Sequence, residues 1–128
     1  MKRIFLLLAI LFTSAFAQTQ LTDLFDAYDD AKSQNKTVMI MLSMEGCPGC
    51  EYMKSVVFDN SDVAKRLKND FIVVELDVRA DSVPENLEYF ATPTFYFLDA
   101  NEKILKRLNG GENAKDFLAT LKEMKKKK

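Results

Sequence analysis

Histidine and tryptophan are absent from this 128-residue chain, and cysteine, proline and glycine number only two, three and four. A structural zinc site takes four Cys or His ligands, so without histidine two cysteines cannot complete one inside a single chain. The charge balance lacks the basic excess of a nucleic-acid binder. No apolar run approaches the roughly 20 residues that a membrane-spanning helix requires. Internal repeats, low-complexity linkers and composition shifts are also missing, which points to one domain with one core.

The longest apolar run that does occur is Ile4 to Phe12, behind the positive start Met1-Lys2-Arg3. Thr13 and Ser14 interrupt it, and Ala15-Phe16-Ala17 is a small-residue processing pattern, so a secretory leader over 1–17 with cleavage before Gln18 is expected. No cysteine follows the cut, which removes lipid attachment there. The 128 residues less those 17 leave 111, and losing Lys2 and Arg3 leaves 16 basic against 19 acidic residues, a net of −3. An exported protein of the periplasm fits this pattern. Lys125 to Lys128 form a basic tail that reads as a solvated helix end.

Along the remaining chain, Leu21, Leu24, Phe25, Tyr28 and Ala31 have helical spacing, ending near Asn35. Thr37 to Met44 is nearly continuous apolar and predicts a strand buried on both faces. Met53, Val56 and Val57, then Val63, Ala64 and Leu67, continue a helical face across an interruption at 59–61, with a cap at Asn60 or Ser61. Phe71 to Val78 reads as a second buried strand, and Pro84 suits the start of a short helix. Thr94 to Leu98 and Ile104 to Leu108 are strands joined by a turn over 99–103. Gly110-Gly111 breaks the chain before a last helix capped by Asn113, with Phe117, Leu118, Leu121 and Met124 on its apolar face. The order predicts one α/β domain with a mixed four-stranded sheet flanked by helices.

Both cysteines lie in Gly46-Cys47-Pro48-Gly49-Cys50. As a staple the pair is poorly placed, because a loop this short is worth only roughly 2 kcal/mol in the chain-entropy picture. Copper(I) is a second possibility, since soft sulfur ligands select it and Met44 and Met53 flank the motif at three-residue intervals. Methionine is also ordinary core filling. A redox dithiol suits the placement better. Between a buried strand and a helix, Cys47 falls at the helix start, where unpaired N–H groups and the helix dipole favour a thiolate. Pro48 fits the first turn without losing a hydrogen bond, and Cys50 follows one turn on, more buried, as the resolving thiol.

With these residues in place, most of the mature chain resembles the thioredoxin superfamily. The resemblance rests on Cys47-Pro48-Gly49-Cys50 after a strand, on Ala91-Thr92-Pro93-Thr94-Phe95, similar to the family's cis-proline loop, and on Gly110-Gly111 before the closing helix. Continuation into Met53, Phe58 and Val63 is similar to exported members, including the C-terminal periplasmic domain of the membrane thiol:disulfide interchange reductase. The resemblance implies a thioredoxin-like fold with an N-terminal helix in place of the first strand, and a thiol:disulfide oxidoreductase needing no cofactor or metal. It implies that Cys47 attacks, that Cys50 resolves, and that Thr92 and Pro93 line the substrate groove. Partners would be exported proteins with disulfides or thiols and a recharging redox partner, for which a membrane-bound protein is a candidate, with no nucleic acid. A copper(I)-binding or substrate-holding module using the same cysteines is the alternative.

Several positions depart from the family. Pro48-Gly49 reverses the usual dipeptide, Gly46 stands where tryptophan is usual, and the buried aspartate of the preceding strand aligns with Met41. Glu75, which aligns approximately with a strand position near the family's active site, is then the candidate proton acceptor, and Glu45 reads as a solvated carboxylate.

Overall fold

The computed structural model describes residues 24–126, so the expected leader, its cleavage site and Leu21 lie outside the described residues. The elements run α1 (Leu24–Gln34), β1 (Thr37–Ser43), α2 (Pro48–Tyr52), a π-helical turn (Met53–Val57), α3 (Ser61–Asp70), β2 (Phe71–Asp77), β3 (Thr94–Leu98), β4 (Ile104–Asn109) and α4 (Ala114–Lys126). One mixed sheet has the order β2-β1-β3-β4. β1 pairs parallel with β2 and antiparallel with β3, and β3 pairs antiparallel with β4. The expected four-stranded sheet flanked by helices is what the chain forms, with α1 ahead of the first strand.

Strand parity divides the core. Met39 and Met41 of β1, with Phe95 and Phe97 of β3, point to the face covered by α2, α3 and α4. Val38, Ile40, Leu42, Tyr96 and Leu98 point to the opposite face, under α1 and Leu87. β1 and β3 are buried along their whole length because both are interior strands. β2 differs from its expected burial. As an edge strand it is fully buried only at Phe71 and Val74, and it stops at Asp77, before Val78.

Capping residues set the boundaries that packing alone would leave loose. Asn60 Oδ1 accepts from the N–H groups of Asp62 (3.1 Å) and Val63 (3.2 Å) at the start of α3, a cap worth about 1 kcal/mol. Asn113 Oδ1 does the same for Asp116 N–H at 2.9 Å. Asp99 Oδ1 accepts from Asn101 and Lys103 and closes the β3–β4 turn, with Glu102 in the left-handed region. At the other end of α4, Lys125 is not purely solvated, since its Nζ lies 3.1 Å from Asp70 Oδ1.

Three local expectations fail for identifiable reasons. Phe25 is 83% exposed, because Ala27 and Ala31 form the buried line of α1 and Phe25 stands about 200° round the helix from Ala27. Val56 is exposed while Val57 is buried. The π turn, closed by Phe58 N–H to Met53 O at 2.8 Å, brings i+4 rather than i+3 back to the starting face. Pro84 opens only a turn, with Leu87 N–H bonded to Pro84 O at 2.9 Å. Leu87 is the buried anchor of that segment, and so short a helix without an apolar face is not self-sustaining.

Candidate active site

The site forms where β1 ends. Ser43 O accepts from Val78 N–H at 2.9 Å, tying the end of β1 to that of β2. The chain then reverses through Met44-Glu45-Gly46, with Gly46 at φ +75° and Cys47 N–H bonded to Met44 O. This left-handed step carries almost no penalty for glycine, which accounts for Gly46 where a bulky residue is usual. Cys47 is the N-cap of α2, with extended backbone angles, and Pro48 occupies the first turn.

Cys47 and Cys50 form a disulfide, their Cα atoms 5.3 Å apart. Cys50 N–H points at Cys47 Sγ at 3.1 Å. In the reduced protein the same bond would stabilise a Cys47 thiolate, together with the N-terminal dipole of the helix. Cys50 is completely buried and Cys47 is 5% exposed, so Cys47 is the sulfur that an outside group can reach. Cys50 shares its core cluster with Met41, Met53 and Phe95. Phe117 packs on Phe95 and Phe58 at centroid separations of 5.3 and 5.7 Å, closing the floor.

Thr92 and Pro93 come to the dithiol from about 45 residues further along the chain. The Thr92–Pro93 peptide is cis, and Cys47 Sγ lies 3.5 Å from the Thr92 carbonyl oxygen. Two hydrogen bonds lock the loop: Thr94 Oγ1 donates to Ala91 O at 2.7 Å, and Gly110 N–H donates to Pro93 O at 2.8 Å. A Cβ at Gly49 would stand 3.2 Å from Pro93 Cδ, so the Pro48-Gly49 order lets the two loops approach. Gly111 has a similar use, since a Cβ there would meet Met53 Sδ at 3.2 Å. The motif alone does not announce those glycine contacts, although Gly110-Gly111 reads as a break in the chain.

Glu75 stands in register with Met41 across the β1–β2 pair. Its Oε1 accepts from Ser43 Oγ at 2.7 Å and from Lys54 Nζ at 3.1 Å. The hydrogen bond to Glu75 is the main reason the Lys54 ammonium is held above its ordinary pKa; partial burial opposes it, and Glu51, 3.4 Å away, adds to it. Sequence reasoning singled out Glu75 but missed Lys54 and Ser43. A lysine four residues past Cys50 gives no hint of the strand it will meet. Glu45 is exposed, at the rim of a recess of about 390 Å³ beside Gly46, Lys54 and Glu75. Met44 is half-buried and Met53 fully buried, both packed in the core that holds the cysteines. Among the described residues no group of three or more His, Cys, Asp or Glu is arranged to hold a metal ion.

Comparison with known proteins gives the same outline. A family model described as a thioredoxin-like domain matches residues 24–125. Thioredoxin H4 of Arabidopsis thaliana is 31% identical over 94 residues, covering 73% of this chain and 75% of that protein. The solution structure of a thioredoxin from Thermus thermophilus superposes with a TM-score of 0.66 at 27% identity, covering 78% of this chain and 82% of the other. The fold is also shared with a putative disulphide-isomerase from Bacteroides thetaiotaomicron, with a TM-score of 0.70, 23% identity and coverage of 80% and 88%.

Proposed function

The chain belongs to the thioredoxin-like family and is a thiol:disulfide oxidoreductase, and we propose that it works in the periplasm, reducing disulfides of other exported proteins. The observation that carries this reading is the setting of Cys47: an N-cap sulfur facing the Cys50 N–H on one side and the Thr92 carbonyl on the other. Export rests on the leader pattern over 1–17, and among the described residues no helix is long and apolar enough to cross a membrane. The reducing direction rests on the likeness to thioredoxins.

In the reduced protein, the Cys47 thiolate attacks one sulfur of the partner's disulfide. A mixed disulfide forms and the partner's other sulfur leaves as a thiolate. Cys50, deprotonated, then attacks Cys47 Sγ, which closes the intramolecular disulfide and releases the partner's second sulfur. Two electrons pass from the cysteine pair to the partner, and the partner's two thiolates take up two protons. A dithiol redox partner returns the electrons by the reverse sequence. Thr92, through its backbone, aligns the partner segment, and Pro93 shapes the groove. Glu75 takes the role of proton acceptor during resolution, supported by its register with Met41 in the core around Cys50.

The test is the equilibrium reduction potential of the Cys47–Cys50 pair in glutathione or dithiothreitol buffers. A value near the thioredoxin range of about −270 mV is expected. One near about −120 mV, as in strong disulfide donors, would reverse the proposed direction. Absence of any reversible dithiol equilibrium would remove the redox reading. Copper(I) binding by the reduced protein, weakened by Met44→Leu or Met53→Leu, would then take its place.

A further inference from the structure

Phe90 is 89% exposed, the most exposed large apolar side chain among the described residues. It stands two positions before Thr92, in Phe90-Ala91-Thr92-Pro93. Two virtual bonds of 3.8 Å place its Cα within about 7.6 Å of the Thr92 Cα, and the Thr92 carbonyl is 3.5 Å from Cys47 Sγ. Phe90 therefore belongs to the same short loop segment as the carbonyl that faces the exchanging sulfur. Its neighbour Tyr89 is also exposed, and both line an open recess of about 560 Å³ with Val83, Pro84 and Leu87. Leu87 is buried at the base of that recess, and Tyr96 OH donates to Glu88 O, so the segment is anchored from beneath. The Arg107 guanidinium lies over the Phe90 ring, 5.3 Å from its centroid, and is itself held by Nε donating to Asn109 Oδ1 at 2.8 Å.

An isolated apolar side chain on a surface needs no explanation. Phe90 is not isolated, because Tyr89 beside it is also exposed and its loop runs directly into Thr92, which faces the dithiol. A ring held on one face by a cation keeps the other face for an incoming apolar group. We propose that Phe90 is a specificity-determining residue for the thiol exchange, and that it selects partner segments running extended past Thr92 with an apolar side chain two or three residues from the reacting cysteine. The occupant is a polypeptide rather than a small disulfide, since only a chain spans from the sulfur to the ring. This inference rests on the assignment of Cys47 as the attacking sulfur.

The test compares disulfide-containing peptides that are identical except for Leu or Ser at the second residue on either side of cysteine, with oxidised glutathione as the small substrate. The readout is the ratio of kcat/KM for the Leu and Ser peptides, which a change in dithiol chemistry would scale on both alike. The unsubstituted protein should favour a Leu peptide, and Phe90→Ser should lower the ratio roughly tenfold, the share of a partly buried phenylalanine contact. Phe90→Leu should restore most of it, and Ile104→Ser, at an exposed apolar position on another element, should leave it alone. A ratio near one in the unsubstituted protein, or a ratio preserved in Phe90→Ser, overturns the proposal. If the protein exchanges thiols with neither peptides nor glutathione, the dithiol reading falls and takes this inference with it. Exchange with glutathione but no Leu preference overturns the specificity inference alone.

Discussion

The two flanks of Cys47 are built from different materials. On one side lies the loop of Thr92 and Pro93, locked by backbone and hydroxyl hydrogen bonds and pressed to within a methyl group's space of Gly49. On the other, around the recess beside Gly46, lie Ser43, Glu75, Lys54 and Glu51, linked by hydrogen bonds and ion pairs, with Ser43 buried and the charged groups partly or largely exposed. The first flank acts through distance and shape, so a few tenths of an ångström matter there. The second acts through charge, and partial exposure of Lys54 and Glu75 weakens every contact by screening. On the proposed reading the division suits two needs, since a substrate groove needs a fixed surface and a proton acceptor needs a path to water.

Substitutions can break the contrast or sharpen it. The largest effect should come from the sulfur both flanks share. Cys47→Ser is expected to reduce disulfide turnover to background, while Cys50→Ser should leave Cys47 joined to partner proteins, visible as covalent adducts on non-reducing gels. Turnover surviving in Cys47→Ser would remove that residue from its assigned role. Beneath both flanks, Phe117 is fully buried against Phe58 and Phe95. Phe117→Ala should lower unfolding free energy in urea by about 3–5 kcal/mol, and a loss below about 1 kcal/mol would mean that the floor is not tightly packed.

On the shape-controlled flank, Gly49→Ala brings a Cβ to 3.2 Å from Pro93 Cδ. The cis-proline loop has to shift, and exchange with a protein substrate should slow by on the order of tenfold. Gly111→Ala, whose Cβ meets the flexible end of Met53, should slow it less. Equal effects would mean that the approach of the two loops is not what sets the rate.

The smallest effect belongs to the charged flank. A double-mutant cycle of Lys54→Met and Glu75→Gln should yield a coupling below about 1 kcal/mol for a partly exposed pair. Because contact with Glu75 raises the folded pKa of Lys54, its contribution is complete below the ordinary lysine value and is lost as pH rises through the raised one. Chemical denaturation at pH 8 and above pH 11 checks the sign. Glu75→Gln should also flatten the pH dependence of the resolving step while leaving overall stability nearly unchanged. An unaltered pH profile would take the proton-acceptor role away from Glu75.

Much of the site was legible because its signals are local. The cap position of Cys47, the burial of Cys50, the asparagine caps of α3 and α4 and the Asp99 turn all depend on groups within a few residues of one another. The failures share the opposite property. Phe25 has helical spacing yet points away from the core, because the sheet lies against the alanine line of α1. Val56 loses its expected place to a π turn that periodicity alone does not register. The edge position of β2 follows from strand order, which an apolar run does not encode.

The sequence by itself determined the four strands, the α-helices α1, α3 and α4, the α/β class, the motif that carries the chemistry and its place at the start of a helix. Short-range hydrogen bonding and residue geometry suffice for these, and both are written in neighbouring residues. Only the tertiary structure decided which distant residues meet: the Thr92 carbonyl at Cys47, Pro93 over Gly49, and Lys54 and Ser43 on Glu75, with Phe90 left in solvent ahead of the Thr92 loop. Those partners come from segments about 20 to 45 residues apart. Their meeting depends on which strand pairs with which, a property of the folded sheet that no local run of residues contains.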